Sequence, residues 1–291
     1  MMRVTQAGLW DLVRSNLASN AARTRALEEQ ATTGLSVNRA SDAPELTGQI
    51  DRLNAASADQ AVYSTNAGTS TSVLSQMDSV LGSVHDALTR ARELAVQMSG
   101  DTMSAEDRSY AAEEINAIRD TVLSLANSDF AGKYLFSGTA TDTEPFDSTG
   151  TYAGTTDEPQ TRVGENTWVT TSRDGSSVFQ GDIDIFGALS DFATALSADD
   201  TAGIEGALDT LDSSLDQVMQ ARATVGADTN IADDALSLAE SLKGQLATSL
   251  GDLVSVDPAE TYMQLSEMRA SYQTALQVAS SARSQNLFDL I

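Results

Sequence analysis

Apolar side chains recur every three or four residues over most of this chain, the spacing of amphipathic helices. Over residues 4–33, Trp10, Val13, Leu17, Ala21, Thr24, Leu27 and Ala31 fall on one stripe, and Gly34 follows as a C-terminal stop. The next segment, "LSVNRASDAPE", is irregular; Asp42 is placed to cap a new helix, with Glu45 three residues on and Pro44 in its first turn. The helix predicted over 45–99 carries three apolar rows in heptad register, led by Met77, Val84, Ala91 and Met98. The second row is Val73, Val80, Ala87 and Leu94, and the third Leu74, Leu81, Leu88 and Ala95. Two rows serve a two-partner coiled coil. A third widens the buried face and predicts a bundle helix with more than one neighbour. Beyond "SGDT" at 99–102, Ser104 and Asp107 read as a capping-box start, and Ala111, Ile115, Ile118, Val122 and Leu125 continue the seam. The short connection predicts an antiparallel helical hairpin.

At Gly132 the texture changes to Gly-, Thr- and Asp-rich sequence with short β-prone runs, and "SRDGSS" between "TWVTT" and "SVFQG" reads as a hairpin turn. Helical spacing resumes at Ile183. Ile204, Leu208, Leu211, Leu215 and Val218 form a heptad, and Leu238, Leu242, Leu246, Leu250 and Leu253 follow at slightly wider steps. "DPAE" at 257–260 is the sharpest boundary: Asp257 as cap, Pro258 at the first helical position, Glu260 completing a capping box. The last helix is predicted from 258 to about 286, with Leu265, Met268, Tyr272, Leu276 and Ala279 at helical spacing and Leu287, Phe288, Leu290 and Ile291 beyond it. The expected fold is mainly α: a long-helix, coiled-coil-like bundle built from both chain ends, with a small inserted β-rich domain. The expected domains are 1–40 with 257–291 as terminal helices, 41–138 with 183–256 as the bundle, and 139–182 as the insert.

Charge adds a second layer to this nesting. The net charge is −25, yet residues 1–60 hold 6 basic and 7 acidic residues and residues 259–291 hold 2 and 3, so the acid is concentrated in the middle. Near-neutral ends around an acidic middle predict ends that become buried and a middle that stays in water. The same charge argues against nucleic acid or an anionic membrane surface as partner. No run of 18 apolar residues and no apolar signal-peptide core occur in the sequence. An aromatic content of 5% fits helices packed on small side chains better than an enzyme core.

Candidate chemistry is sparse. There is no cysteine and one histidine, His85, which the heptad places on the outer, solvated side; zinc sites and Cys–His catalysis therefore have no ligand set. "GDIDIFG" at 181–187 hints at a calcium loop, but Phe186 and Ala193 stand where ligands belong. The acid pairs Asp199–Asp200 and Asp233–Asp234 read as helix caps or solvated faces. No phosphate-binding glycine motif is present. No catalytic residue, cofactor or metal is expected. Instead, the first and last helices are expected to work as an assembly surface, because one amphipathic helix on a monomer gains too little from burial to offset its ordering entropy. The residues expected to carry assembly are Trp10, Val13, Leu17, Leu27, Leu265, Tyr272, Leu276, Leu287, Phe288 and Leu290.

Two stretches, "ATTGLSVNRASDAP" (31–44) and "RELAVQMSGDTMSAEDRSYAAEEINAIRD" (92–120), resemble the bacterial flagellin superfamily, as does the apolar final helix. Within it, "DFAGKYLFSGTATDTEPFD" (129–147), "DIFGALSDFATAL" (184–196), "ARATVGADTN" (221–230) and the ending "NLFDLI" are similar to the hook–filament junction branch rather than to filament flagellins. The inner insert, 148–177, matches neither, and Ala43 departs from the acid usual before Pro44. The resemblance implies export without a cleaved signal peptide, and ring assembly through the terminal helices of many copies. It implies as partners the other hook-associated junction protein, flagellin, and an export chaperone at the C-terminal end. The alternatives are a short flagellin, which would polymerise alone, a secreted coiled-coil adhesin, or an enzyme with a cation site in the insert.

Overall fold

The computed structural model describes residues 6–100 and 103–288, with side chains described for 11–100 and 103–280. Seven helices dominate: α1 (Gln6–Thr33), α2 (Pro44–Met98), α3 (Ala105–Ala126), α4 (Gly175–Phe179), α5 (Ile185–Ser197), α6 (Thr201–Val254) and α7 (Pro258–Phe288). Four short strands lie between α3 and α4: β1 (Asp129–Phe130), β2 (Lys133–Tyr134), β3 (Gln160–Arg162) and β4 (Trp168–Thr170). Long helices built from both ends around a small β-rich insert is the architecture expected from the apolar spacing. The chain divides into two compact units, one from the ends up to Ser57 and from Gly244 onward, the other spanning Ala58–Lys243. Both α2 and α6 run through the division without a break.

In the 58–243 unit the three heptad rows of α2 supply the core. Leu74, Met77, Leu81, Val84, Leu88, Ala91 and Ala95 are fully buried, joined by Ile115 and Val122 of α3 and by Ile204, Leu211, Val218 and Val225 of α6. Ion pairs on the flanks fix the direction of packing. Arg92 pairs with Asp212, Arg222 with Asp78 at 2.9 Å, and the Thr71 hydroxyl donates to Asp233 at 2.9 Å, so α2 and α6 run antiparallel. The α2–α3 hairpin is closed by the buried Arg108. Its guanidinium donates to the carbonyls of Met98 (3.1 Å) and Gly100 (3.3 Å) and pairs with Asp199. Ser104 caps α3 in a full capping box with Asp107, and the Ser104 hydroxyl, followed by its backbone N–H, holds the Asp107 carboxyl below the ordinary carboxylate value.

Several local expectations are corrected. "TWVTT" and "SVFQG" are not hairpin partners: β4 pairs with β3, and Asp174 caps the short α4 by accepting from Ser176 N–H at 2.8 Å. The reason is packing at Gly175. A Cβ there would stand 2.4 Å from the Phe136 carbonyl, so the glycine serves a close approach instead of a turn. Asp42 does not cap α2; its carboxylate accepts from Asn38 and Arg39 N–H at 3.1 and 2.8 Å and closes the preceding loop. Glu260 does not complete a capping box, since its carboxylate accepts from Gln264, while Asp257 alone caps α7 through Ala259 N–H at 2.8 Å. His85 is half-buried with its Nδ1 enclosed, because neighbours on more than one side of α2 cover positions just off the apolar rows. Along α6 the buried positions after Val225 are Ala232, Ala239 and Val254, and Leu238 is exposed. Asp184 of the calcium-like stretch caps α5 through Phe186 N–H.

The insert is held by aromatic packing more than by strands. Phe136 and Phe179 meet edge-on at 5.2 Å, Phe146 and Phe186 at 5.1 Å, and Phe179 stacks on Phe186 at 5.8 Å. Burial, with the nearby Asp174 charge, pushes the Tyr152 phenol beside them up to about 12. The half-buried Arg173 bridges Glu158 (2.9 Å) and Asp228 of α6, tying the insert to that helix. Burial raises the Asp228 carboxyl above its ordinary value, opposed by Arg173.

Candidate assembly surface

The terminal unit is built on a single seam between α1 and α7. On α7 the covered positions are Thr261, Leu265, Met268, Tyr272, Ala275 and Ala279, a strict alternation of three and four. On α1 they are Val13, Leu17, Asn20, Ala21, Thr24, Leu27 and Ala31 together with Glu28, Glu29 and Gln30. Glu28 pairs with Arg269 at 2.6 Å, placing the end of α1 beside the start of α7, so the two helices are antiparallel. A two-way backbone clasp locks this end. Ser36 N–H donates to the Val254 carbonyl at 2.6 Å, and Val256 N–H donates to the Gly34 carbonyl at 3.0 Å. Gly34, at φ 73°, makes the reversal that brings the clasp together.

One seam covers one stripe of each helix. Of these side chains only Thr261 and Leu265 are fully buried, and the others keep half-covered positions. Outside the seam Leu12, Tyr262, Met263, Leu276 and Val278 stand bare, each 44–59% exposed. Exposed apolar side chains are ordinary singly; these five are spread over both paired helices.

Of the residues assigned to assembly from sequence, Val13, Leu17, Leu27, Leu265 and Tyr272 line the α1–α7 seam within one chain. Leu276 does not; the seam passes through Ala275, and Leu276 points to solvent. Trp10, Leu287 and Phe288 fall on helical backbone, but their side chains lie outside the described residues, as does all of Leu290. Leu12, Tyr262, Met263 and Val278, exposed on the same two helices, are not among the residues assigned from sequence. They sit between the seam positions, where a helical wheel centred on the seam reads them as merely polar-side apolar residues. No group of three or more His, Cys, Asp or Glu with metal-holding placement occurs among the described residues.

Helical chain ends, a heptad bundle and an inserted β-rich piece together make a flagellin-like architecture. The family model of the bacterial flagellin N-terminal helical region matches residues 11–141. The chain is 30% identical over 275 residues to flagellar hook-associated protein 3 of Escherichia coli (strain K12), covering 84% of this chain and 87% of that protein. It belongs to the flagellar hook-associated protein 3 family. A flagellin of Halalkalibacterium halodurans is 24% identical over 93% of this chain and 92% of its own length. Among solved structures, a flagellar hook-associated protein from Vibrio parahaemolyticus superposes with a TM-score of 0.67 at 21% identity, over 74% of this chain and all of that one.

Proposed function

We propose that the protein is a structural adaptor of the bacterial flagellum that joins hook to filament by assembling, through α1 and α7, into a ring of identical copies. The observation that carries this reading is the single-seam packing of α1 on α7, which leaves apolar side chains of both helices uncovered. Copies of the same two helices from neighbouring chains would cover them, as heterologous contacts do in rings. Residues 1–40 and 257–291 form the inner layer in this reading, 41–138 and 183–256 the bundle layer, and 139–182 the outer one. The other hook-associated junction protein lies on one side of the ring and flagellin on the other. Export proceeds without a cleaved signal peptide, and a chaperone shields the C-terminal end beforehand. Catalysis has no part in it.

Deleting the last six residues tests the reading. Incorporation into flagella is expected to be lost while the 60–250 helices keep their circular dichroism; a truncated chain that still assembles would overturn it. Purified protein is also expected to cap hook fragments and seed flagellin growth. Unaided growth into long filaments would instead identify a filament subunit.

A further inference from the structure

In the 58–243 unit, α2 and the two hairpins of the insert leave a groove of about 360 Å³ between them. Val73, Phe130 and Leu135 give it an apolar floor. Ser70, 1% exposed, lines it with a hydroxyl that has no hydrogen-bond partner. That is unusual on this helix. The Thr65, Thr69 and Ser72 hydroxyls around it each donate to the carbonyl four residues back. A buried hydroxyl left without a partner costs free energy unless something meets it.

One cation lines the groove and a second stands next to its lining, in a unit that is otherwise strongly acidic. Lys133 lines it, donates to the Thr141 hydroxyl at 3.3 Å and has Asp142 at 4.0 Å as its one carboxylate among the described residues. Arg162 follows the lining residue Thr161. Its guanidinium lies over the rings of Tyr63 (5.4 Å) and Trp168 (5.9 Å), donates to the Gly164 (3.0 Å) and Glu165 carbonyls of the next loop, and makes no ion pair among the described residues. Trp168 is more than half exposed. Trp, Tyr and Arg clustered beside an apolar slot have the composition of an interface hot spot.

The same unit carries a surface of the opposite kind. On α3, Glu106, Tyr110 and Glu113 form one exposed ridge at i, i+4 and i+7, and Tyr110, 66% exposed, is the barest large hydrophobic side chain among the described residues. The Arg90–Glu114 pair sets this ridge beside the far end of α2, about 35 Å along the helix from Ser70, so a chain cannot fill its own groove.

We infer that the α2–insert groove receives the Glu106–Tyr110–Glu113 ridge of a second copy of this chain. The Tyr110 ring lies on Phe130 and Val73, its flanking carboxylates meet Lys133 and Arg162, and the Ser70 hydroxyl gains a partner. Groove and ridge are different patches of one chain, so the contact is head-to-tail and repeats around a ring. The inference rests on the assembly proposed above and adds a lateral contact outside α1 and α7.

The chain has no cysteine, which makes the contact directly testable. The double variant Thr141→Cys/Glu113→Cys, incorporated into flagella and oxidised, is expected to give a ladder of disulfide-linked multimers; neither single variant is. Lys133→Glu/Arg162→Glu added to it should abolish the ladder with helical circular dichroism unchanged, and Glu106→Lys added in turn should restore it. A double variant present at the hook–filament junction with no ladder overturns the contact alone. Absence of the unsubstituted chain from that junction overturns the assembly reading, and the contact with it.

Discussion

The β1–β2 turn shows how closely single residues follow backbone geometry. Ala131 and Gly132 both lie at positive φ, 54° and 80°, the two central residues of a tight hairpin whose twist requires that conformation. Alanine tolerates it poorly and glycine well. No heavy atom lies within 4 Å of a Cβ built on Gly132, so a substitution there reports conformation alone. Gly132→Ala is therefore expected to lower the stability of the 58–243 unit by about 1 kcal/mol, and Ala131→Gly to raise it by a smaller amount. Urea unfolding followed by circular dichroism measures both. The turn was not singled out by alternation of polar and apolar residues, because strands of two residues are too short to show a period.

Helix boundaries are the scale at which sequence reasoning succeeded and failed side by side. Ser104 and Asp107 make the full capping box that their spacing predicts. The pairs Asp42/Glu45 and Asp257/Glu260 put capping residue types at the same spacing, yet Asp42 and Glu260 make other bonds. A cap is a local competition among nearby donors. At Asp42 the free N–H groups of Asn38 and Arg39 win, and at Glu260 the Gln264 amide does. The α3 cap yields a testable pH effect. Asp107 titrates below its ordinary value because of Ser104, so its contribution is complete above the unfolded value of 3.8 and is lost as pH falls through the lower folded value. Ser104→Ala should cost about 1 kcal/mol at neutral pH. The difference between variant and parent should shrink in that acid window; a constant difference down to the lowest pH would count against the capping box as its cause.

At the scale of the whole molecule the two compact units are built on different principles. The 58–243 unit buries continuous rows of Leu, Met, Val and Ile from several helices and the insert. The terminal unit relies on one seam, a clasp of two backbone hydrogen bonds and two exposed ion pairs, Glu28–Arg269 and Glu29–Arg39. Exposed pairs contribute little, and local opening follows from few buried apolar contacts. Hydrogen exchange on the isolated protein is expected to run fast over 11–33 and 262–280 and slow over 74–95. Equal protection of the two regions would show that the seam suffices by itself and would remove the need for other copies.

Much of this architecture was legible in the chain. Heptad rows are a local property, so the α2 rows, the α3 seam and the clean start of α7 at Pro258 could be read before any packing was known. Neutral ends and an acidic middle likewise pointed to the ends as the part to be covered. Tertiary structure alone decided which of several equivalent apolar rows is used. It put Ala239 rather than Leu238 into a buried position and Ala275 rather than Leu276 into a half-covered one, because small side chains let helices approach closely. It also joined β4 to β3, and set Ser70, Phe130 and Thr161, far apart in sequence, around one groove. Periodicity fixes which faces of a helix can be buried; the partner that buries a face comes from elsewhere in the chain, or from another chain, and no period encodes it.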